Sequence, residues 1–450
     1  MKYFLIIYYL FGLHTVICAC TNDSVQIIEK QDYEYLRGLS KAVLDSSTVI
    51  PLQFISHEFG YNKTGGTIVC PGGKNCYPAF WIRDYAMSLN SSLIDTLDQK
   101  HMLLLTAKTQ CNKTWITKEG GMIPLGSIAD HILLDSSLPI YYPGTYDFNN
   151  QGNSMWGKFP PYCDQYFFIH MAYYYLLCTD NIAFMQCEIE GFSLYERLEL
   201  SFRVPPTRFG SEIVYTTENY RGVDFGFRDA IQITGDLCMA SILKCKAAEE
   251  MAEISRKLNF KAKEEFYKKV ALALKEEIPL LFQDDRGMLK ASTGDSSQAD
   301  VWSTALAVYF HVLEKGNLLK AANALLTAYR LGTLSYQGNI RHILTTDDYN
   351  EQTAWEKTNI VKNTYQNGAY WGTATGWVCY AIAQVDKMAA KSLAKEYIYG
   401  LKSSDMRSGK GGAPYECIHP SGYVQNPLYL TTVTCPLEVF QFLMKSKIGQ

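Results

Sequence analysis

Two segments of this sequence place an arginine beside an aspartate where an apolar helix is expected to begin. In YPAFWIRDYAMSLN (77–90) the pair is Arg83–Asp84, just after Trp81; in VDFGFRDAIQITGD (223–236) it is Arg228–Asp229, close to Phe225 and Phe227. A guanidinium beside a carboxylate presents donors and acceptors in fixed geometry. That suits the adjacent hydroxyls of a sugar ring, and Trp81 offers a flat apolar face for such a ring. Arg83 is expected to keep Asp84 ionised, so this pair reads as binding machinery and not as a proton donor. Asp229 reads differently, because its apolar surroundings raise a carboxyl pKa as a general acid requires. The plain structural alternative for both aspartates is a helix N-cap.

Three further loops carry polar groups among aromatics. GGAPYECIHPSGYVQNP (411–427) surrounds Glu416 with glycines, prolines and tyrosines, with His419 near enough in sequence to pair with it. GDSSQADVWSTALAVY (294–309) sets Asp300 and Trp302 at another expected helix start. NTYQNGAYWGTATGWV (363–378) packs Gln366, Asn367, Tyr370 and Trp371 among glycines ahead of a helix. Nucleophile-elbow, phosphate-loop and dinucleotide motifs are missing from the sequence, as are paired CxxC elements and HExxH, so no cofactor and no metal is expected. Carboxylates in an aromatic-lined cleft point to glycoside hydrolysis.

These loops need elements to hold them. Apolar periodicity predicts helices over 24–48, from Tyr85 through Leu97, and over 164–179, 191–203, 229–258, 261–282, 299–314, 317–331, 372–401 and 436–446. Few segments alternate with period two, and strands do not alternate regularly with helices, which excludes a doubly wound sheet. What recurs is a long loop, an apolar helix and then an amphipathic charged helix. That pattern predicts an all-α toroid of inner helices ringed by outer ones, an (α/α)6 barrel, with an irregular bundle as the alternative. In a toroid, inner-helix starts that share an end converge on one funnel.

The 450 residues are 47% hydrophobic and 19% charged, with a net charge of −3. This describes a globular chain with no footprint for nucleic acid or membrane surfaces. Residues 1–20, with Lys2 ahead of an apolar run and small residues at the end, read as a signal peptide, leaving 21–450 as one catalytic domain in a secretory compartment. A bacterial lipoprotein anchored at Cys20 is the minor alternative. Export would let cysteines pair, with Cys70/Cys76, Cys178/Cys187 and Cys238/Cys245 as local candidates, and sequons stand at Asn22, Asn62, Asn90 and Asn112.

FWIRDYAM resembles the aromatic-x-Arg-Asp motif of the six-hairpin glycosidases, the superfamily of glucoamylases, trehalases and processing α-glucosidases. YQNGAYWGTATGWVCYAIA resembles their glycine- and aromatic-rich approach to a late inner helix. The resemblance spans residues 24–446. It implies a general acid near mid-chain and a general base near the C-terminus, positions that Asp229 and Glu416 fit, with Asp224 and Asp300 as rival acids. It also implies inversion, with the carboxyls about 6.5–9.5 Å apart. The sugar would be held by Trp81, Arg83, Asp84, Arg228, Asp300, Trp302, Tyr370 and Trp371. The competing readings are a polysaccharide lyase or unsaturated-uronide hydrolase, using Arg83, Arg228 and His419 on a uronate, and a glycan-binding protein without catalysis.

Overall fold

The computed structural model describes residues 25–152 and 155–445. The expected signal peptide, the lipidation candidate Cys20 and the sequon at Asn22 lie outside the described residues.

Twelve helices build the ring: α1 (Lys30–Ser47), α2 (Ile82–Ser88), α3 (Thr96–Lys108), α4 (Tyr162–Thr179), α5 (Leu194–Phe202), α6 (Cys238–Lys257), α7 (Lys261–Phe282), α8 (Val301–Tyr309), α9 (Lys315–Arg330), α10 (Thr375–Ala383), α11 (Lys387–Ser403) and α12 (Thr431–Lys445). The even-numbered helices pack in sequence, α2 on α4, α4 on α6 and onward to α12, and α12 returns to α2. The odd-numbered helices lie outside them. The fold is an (α/α)6 toroid.

Sequence pattern decides which helix is inner. Every residue of α2 and of α10 is buried, and α8 buries eight of its nine. A helix apolar on all sides has to be enclosed. By contrast α7 buries one stripe, Tyr267, Val270, Ala271, Leu274, Ile278 and Phe282, and gives its lysines and glutamates to solvent.

The expected boundaries shift in several places, four of them for a local reason. The stretch 229–258 is helical only from Cys238, because Gly235 at φ +85° breaks the run. Asp229 therefore lies in a loop after a 3-10 turn and not at a helix start. The stretch 372–401 divides into α10 and α11, because Asp386 caps α11 by accepting from Met388 and Ala389 N–H at 2.9 Å. The helix from Tyr85 stops near Ser92, at φ 59°, and Leu97 falls on α3, 79% exposed. Finally, α12 begins at Thr431 and carries Pro436 inside it. Proline removes the N–H that would reach the Thr432 carbonyl, and the Tyr397 hydroxyl of α11 donates there instead.

Short strands decorate the end where the inner helices start. One antiparallel sheet joins β1 (Ala79–Trp81), β2 (His131–Leu133) and β3 (Pro139–Ile140). Another runs β4 (Ser335–Tyr336), β5 (Asn339–Arg341), β6 (Tyr370–Trp371), β7 (Tyr415–Ile418) and β8 (Val424–Pro427). At two to four residues each, they are too short to show as alternation in the sequence.

All eleven described cysteines are free thiols, so none of the three expected disulfides is present. Cys238 and Cys245 stand seven residues apart on α6, about 10 Å along its axis, too far to bridge. Asn62 is also not a surface acceptor. It is fully buried, and its amide donates to the Val49 and Gly66 carbonyls at 2.9 Å. Among the described residues no helix is long and apolar enough to cross a membrane.

Candidate active site

The two sheets and the turns before the inner helices enclose a cavity of 210 Å³. Six of the ten candidate site residues meet on its wall, Trp81, Arg83, Asp84, Asp229, Trp371 and Glu416, together with Phe227.

Register fixes the first group. Trp81 on β1 is paired with His131 on β2, and the two rings stack at 4.1 Å. Nδ1 of His131 lies 2.7 Å from Asp130 Oδ2, and the other oxygen of Asp130 accepts from Arg83 Nη1. Asp130 thus ties the aromatic platform to the guanidinium. Arg83 also stands 3.6 Å from Asp84 and 3.6 Å from Asp164, all of them buried. Gly226 makes room for it, since a Cβ there would lie 1.9 Å from Arg83 Nε.

Three buried carboxylates share this one cation unequally. Against the cost of burial, Arg83 and His131 together keep Asp130 below the ordinary carboxyl range. Burial raises Asp164 well above it, and Asp164 has no hydrogen-bond partner. Burial also outweighs Arg83 at Asp84, whose pKa is raised, since Asp130 takes the closest contact to the guanidinium. Asp84 Oδ1 accepts from the Tyr429 hydroxyl at 2.7 Å, a bond that links the start of α2 to the turn before α12. Asp84 does not cap α2.

Asp229 and Glu416 are the remaining carboxyls on the wall. Burial pushes Asp229 up to about 6, and Gln366 Nε2, donating at 2.8 Å, moderates the shift. Glu416 projects from β7, with Oε2 accepting from Asn426 at 2.8 Å and Tyr77 at 3.4 Å. Burial first, then the charges of Asp84 and Asp229, push it up to about 8. His419 does not pair with it. Strand alternation turns residues 417 and 419 to the opposite face, and His419 Nδ1 meets Ser421 Oγ at 2.9 Å.

No protein-family model and no curated protein matches this sequence. Solved structures do match it. A glucoamylase from Saccharomycopsis fibuligera superposes with a TM-score of 0.57 at 11% identity, covering 94% of this chain and 97% of its own. A rhamnosidase from Klebsiella oxytoca, solved with rhamnose bound, gives 0.56 at 11% identity over 93% of this chain and 65% of its own. For a rhamnosidase of Bacillus sp. GL1 the values are 0.55 and 9%, with 91% and 34% covered, so this chain spans about a third of that protein. What this chain shares with them is the (α/α)6 barrel.

Within this barrel the other candidate residues lie off the cavity wall. Arg228 is fully buried, bonded through Nε to Asp224 Oδ2 at 3.1 Å and through Nη1 to Asp300. Asp300 also caps α8, accepting from Trp302 N–H at 3.0 Å. Both aspartates are thereby committed to Arg228, which leaves Asp229 as the one of the three mid-chain candidates that faces the cavity. Trp302 is fully buried beneath it, and Tyr370 stacks on His419 at 6.0 Å, away from the wall.

The sequence reading missed Tyr77, Asp130, Tyr146, Asp164, Tyr365 and Tyr429. Asp164 carried a signal, because it opens the predicted helix 164–179 as Asp84 opens its own. Tyr429 likewise sits just ahead of the last inner helix. Asp130 had none, since only the β1–β2 register brings it to Arg83.

Proposed function

We propose that this protein is a glycoside hydrolase that removes a single terminal sugar residue from an oligosaccharide or glycan. One observation carries the reading: two buried carboxyls with raised pKa values, Asp229 and Glu416, share a small cavity with Arg83, Asp84, Trp81 and Trp371. Paired carboxyls of this kind are what glycoside hydrolysis uses. The size of the cavity favours one bound sugar residue over a stretch of polymer.

In this reading Asp229 protonates the leaving oxygen and Glu416 draws a proton from the attacking water, with inversion at the anomeric carbon. Gln366 orients Asp229, while Asn426 and Tyr77 donate to Glu416 and favour its charged form. Arg83 and Asp84 bind sugar hydroxyls. The lyase alternative loses its support, because Arg228 and His419 do not reach the wall and Arg83 is already surrounded by Asp84, Asp130 and Asp164.

The opposite assignment, Glu416 as acid and Asp229 as base, is favoured by the order of the two pKa values. An activated substrate separates the two, because a good leaving group needs no proton. The test uses an unactivated oligosaccharide panel and matching dinitrophenyl glycosides, with wild type, Asp229→Asn and Glu416→Gln, followed by mass spectrometry and by NMR of the released anomer. The expected result is that Asp229→Asn cleaves only the activated glycosides and Glu416→Gln cleaves neither. The reverse pattern exchanges the roles. Sugar binding without cleavage by wild type would replace this reading with that of a glycan-binding protein.

A further inference from the structure

Behind the candidate active site the barrel holds a second and larger cavity, of 630 Å³. All six inner helices wall it, mostly through their C-terminal halves: Met87 from α2, Leu177 from α4, Tyr309 from α8, Tyr380 from α10 and Phe442 from α12, with Glu250 from α6. The two cavities lie back to back. Trp371 lines the first and Trp377 the second, while Trp302, 6.1 Å from one ring and 5.9 Å from the other, fills the wall between.

This second cavity is built with polar groups that the fold leaves unfinished. Glu250 is 2% exposed; its Oε1 lies 2.7 Å from His170 Nδ1 and 3.9 Å from Lys246 Nζ. Its Oε2 is buried and has no hydrogen-bond partner. A buried acceptor without a donor costs stability, and the packing of α6 gains nothing from it. Glu438 on α12 also lines the cavity, accepting from the Tyr309 hydroxyl at 2.6 Å. Lys275 is paired with Glu249 at 2.7 Å. The carboxylates Glu249, Glu250 and Glu438 are thus faced by the ammonium groups of Lys246 and Lys275, which balance them to within one charge.

We propose that this cavity is a second binding site, for a neutral saccharide residue, in which the Glu250 carboxyl turns its occluded Oε2 to accept from a ring hydroxyl and Trp377 and Tyr380 supply aromatic faces. Balanced charge disfavours a strongly ionic ligand. Aromatic faces beside paired carboxylates and an ammonium match a ligand that is apolar on its faces and rich in hydroxyls at its edge. An organic cation is the competing ligand, since carboxylates and aromatic rings attract it too, but Lys246 stands against it. The proposal rests on these residues alone and is independent of the roles of Asp229 and Glu416.

The test is equilibrium dialysis of the full chain with D-glucose, D-mannose, L-rhamnose and choline, followed in parallel by tryptophan fluorescence. One or more of the sugars is expected to bind at a site that persists in Asp84→Ala, where the first cavity is impaired. That binding should weaken at least about tenfold in Glu250→Gln, as a charged acceptor becomes a neutral amide. Should Glu250→Gln fail to fold, as judged by its thermal melt, Leu177→Trp at the exposed rim takes its place by narrowing the entrance. The proposal is overturned if none of the sugars binds Asp84→Ala, if the bound sugar is indifferent to the variants, or if choline binds and the sugars do not.

Discussion

Gln366 clamps Asp229 from 137 residues further along the chain. Its Nε2 donates to Asp229 Oδ1 at 2.8 Å, while its Oε1 accepts the Ala230 N–H at 2.8 Å. The amide thereby fixes both the carboxyl and the backbone beside it. Asp229 stands at about 6 and Glu416 at about 8, so between those values the pair carries one proton, mostly on Glu416; the proposed roles use the minor form with that proton on Asp229, and activity should still follow a bell across the two values. Removing a donor to a carboxylate raises its pKa. Gln366→Ala is therefore expected to move the acidic limb to higher pH and to lower activity about tenfold. A pH–rate profile checks this, and an unmoved acidic limb would remove Asp229 from the titrating pair.

Glu416 should make the protein less stable at alkaline pH. Its folded pKa is raised from 4.5 to about 8, so the stability it contributes is complete below 4.5 and is lost as pH rises through about 8. Glu416→Gln cannot ionise. It is expected to melt above wild type at pH about 9, by up to a few kcal/mol, with the gap closing toward pH 4.5. Thermal melts across that range decide the matter, and a gap that is constant with pH would contradict the assigned shift.

Arg228 is a structural cation. It sits fully buried between Asp224 and Asp300. Taking it away leaves two carboxylates without compensation, which costs about 3–5 kcal/mol. Arg228→Met is expected to lose that much in urea unfolding, and the triple change with Asp224→Asn and Asp300→Asn should recover part of it. A loss of activity at unchanged stability would instead return Arg228 to the binding residues.

Gly226→Ala tests the seat of Arg83. The added Cβ would fall 1.9 Å from Arg83 Nε, so the guanidinium must move away from Asp84 and Asp130. The expected outcome is a rise in KM with a smaller change in kcat, as loss of uniform binding predicts. Wild-type kinetics in this variant would mean that Arg83 does not hold substrate.

Much of the ring was legible because its cause is local. The all-apolar runs of α8 and α10 can only be enclosed, and the striped runs of α7 and α9 can only lie outside. Boundaries were less legible where a single residue overrides periodicity, as Gly235 does before α6 and Asp386 does before α11. The site divides in the same way. Trp81, Arg83, Asp84 and Glu416 stood out as polar or aromatic residues in structured loops. Asp300 and Arg228 stood out equally, yet they lie off the cavity wall, since one sequence pattern serves both a pair on that wall and a buried ion cluster.

By itself the sequence determined the class of fold and four of the loops from which the site is drawn. Periodicity and turn chemistry act within a few residues, and they are written in order along the chain. Only the tertiary structure decided which carboxyls face the cavity and what state burial puts them in. Asp130 reaches Arg83 through the β1–β2 register, Gln366 reaches Asp229 across 137 residues, and Tyr429 reaches Asp84 across 345. Long-range pairings of this kind, and the desolvation that raises Asp229 and Glu416, exist only once the ring has closed.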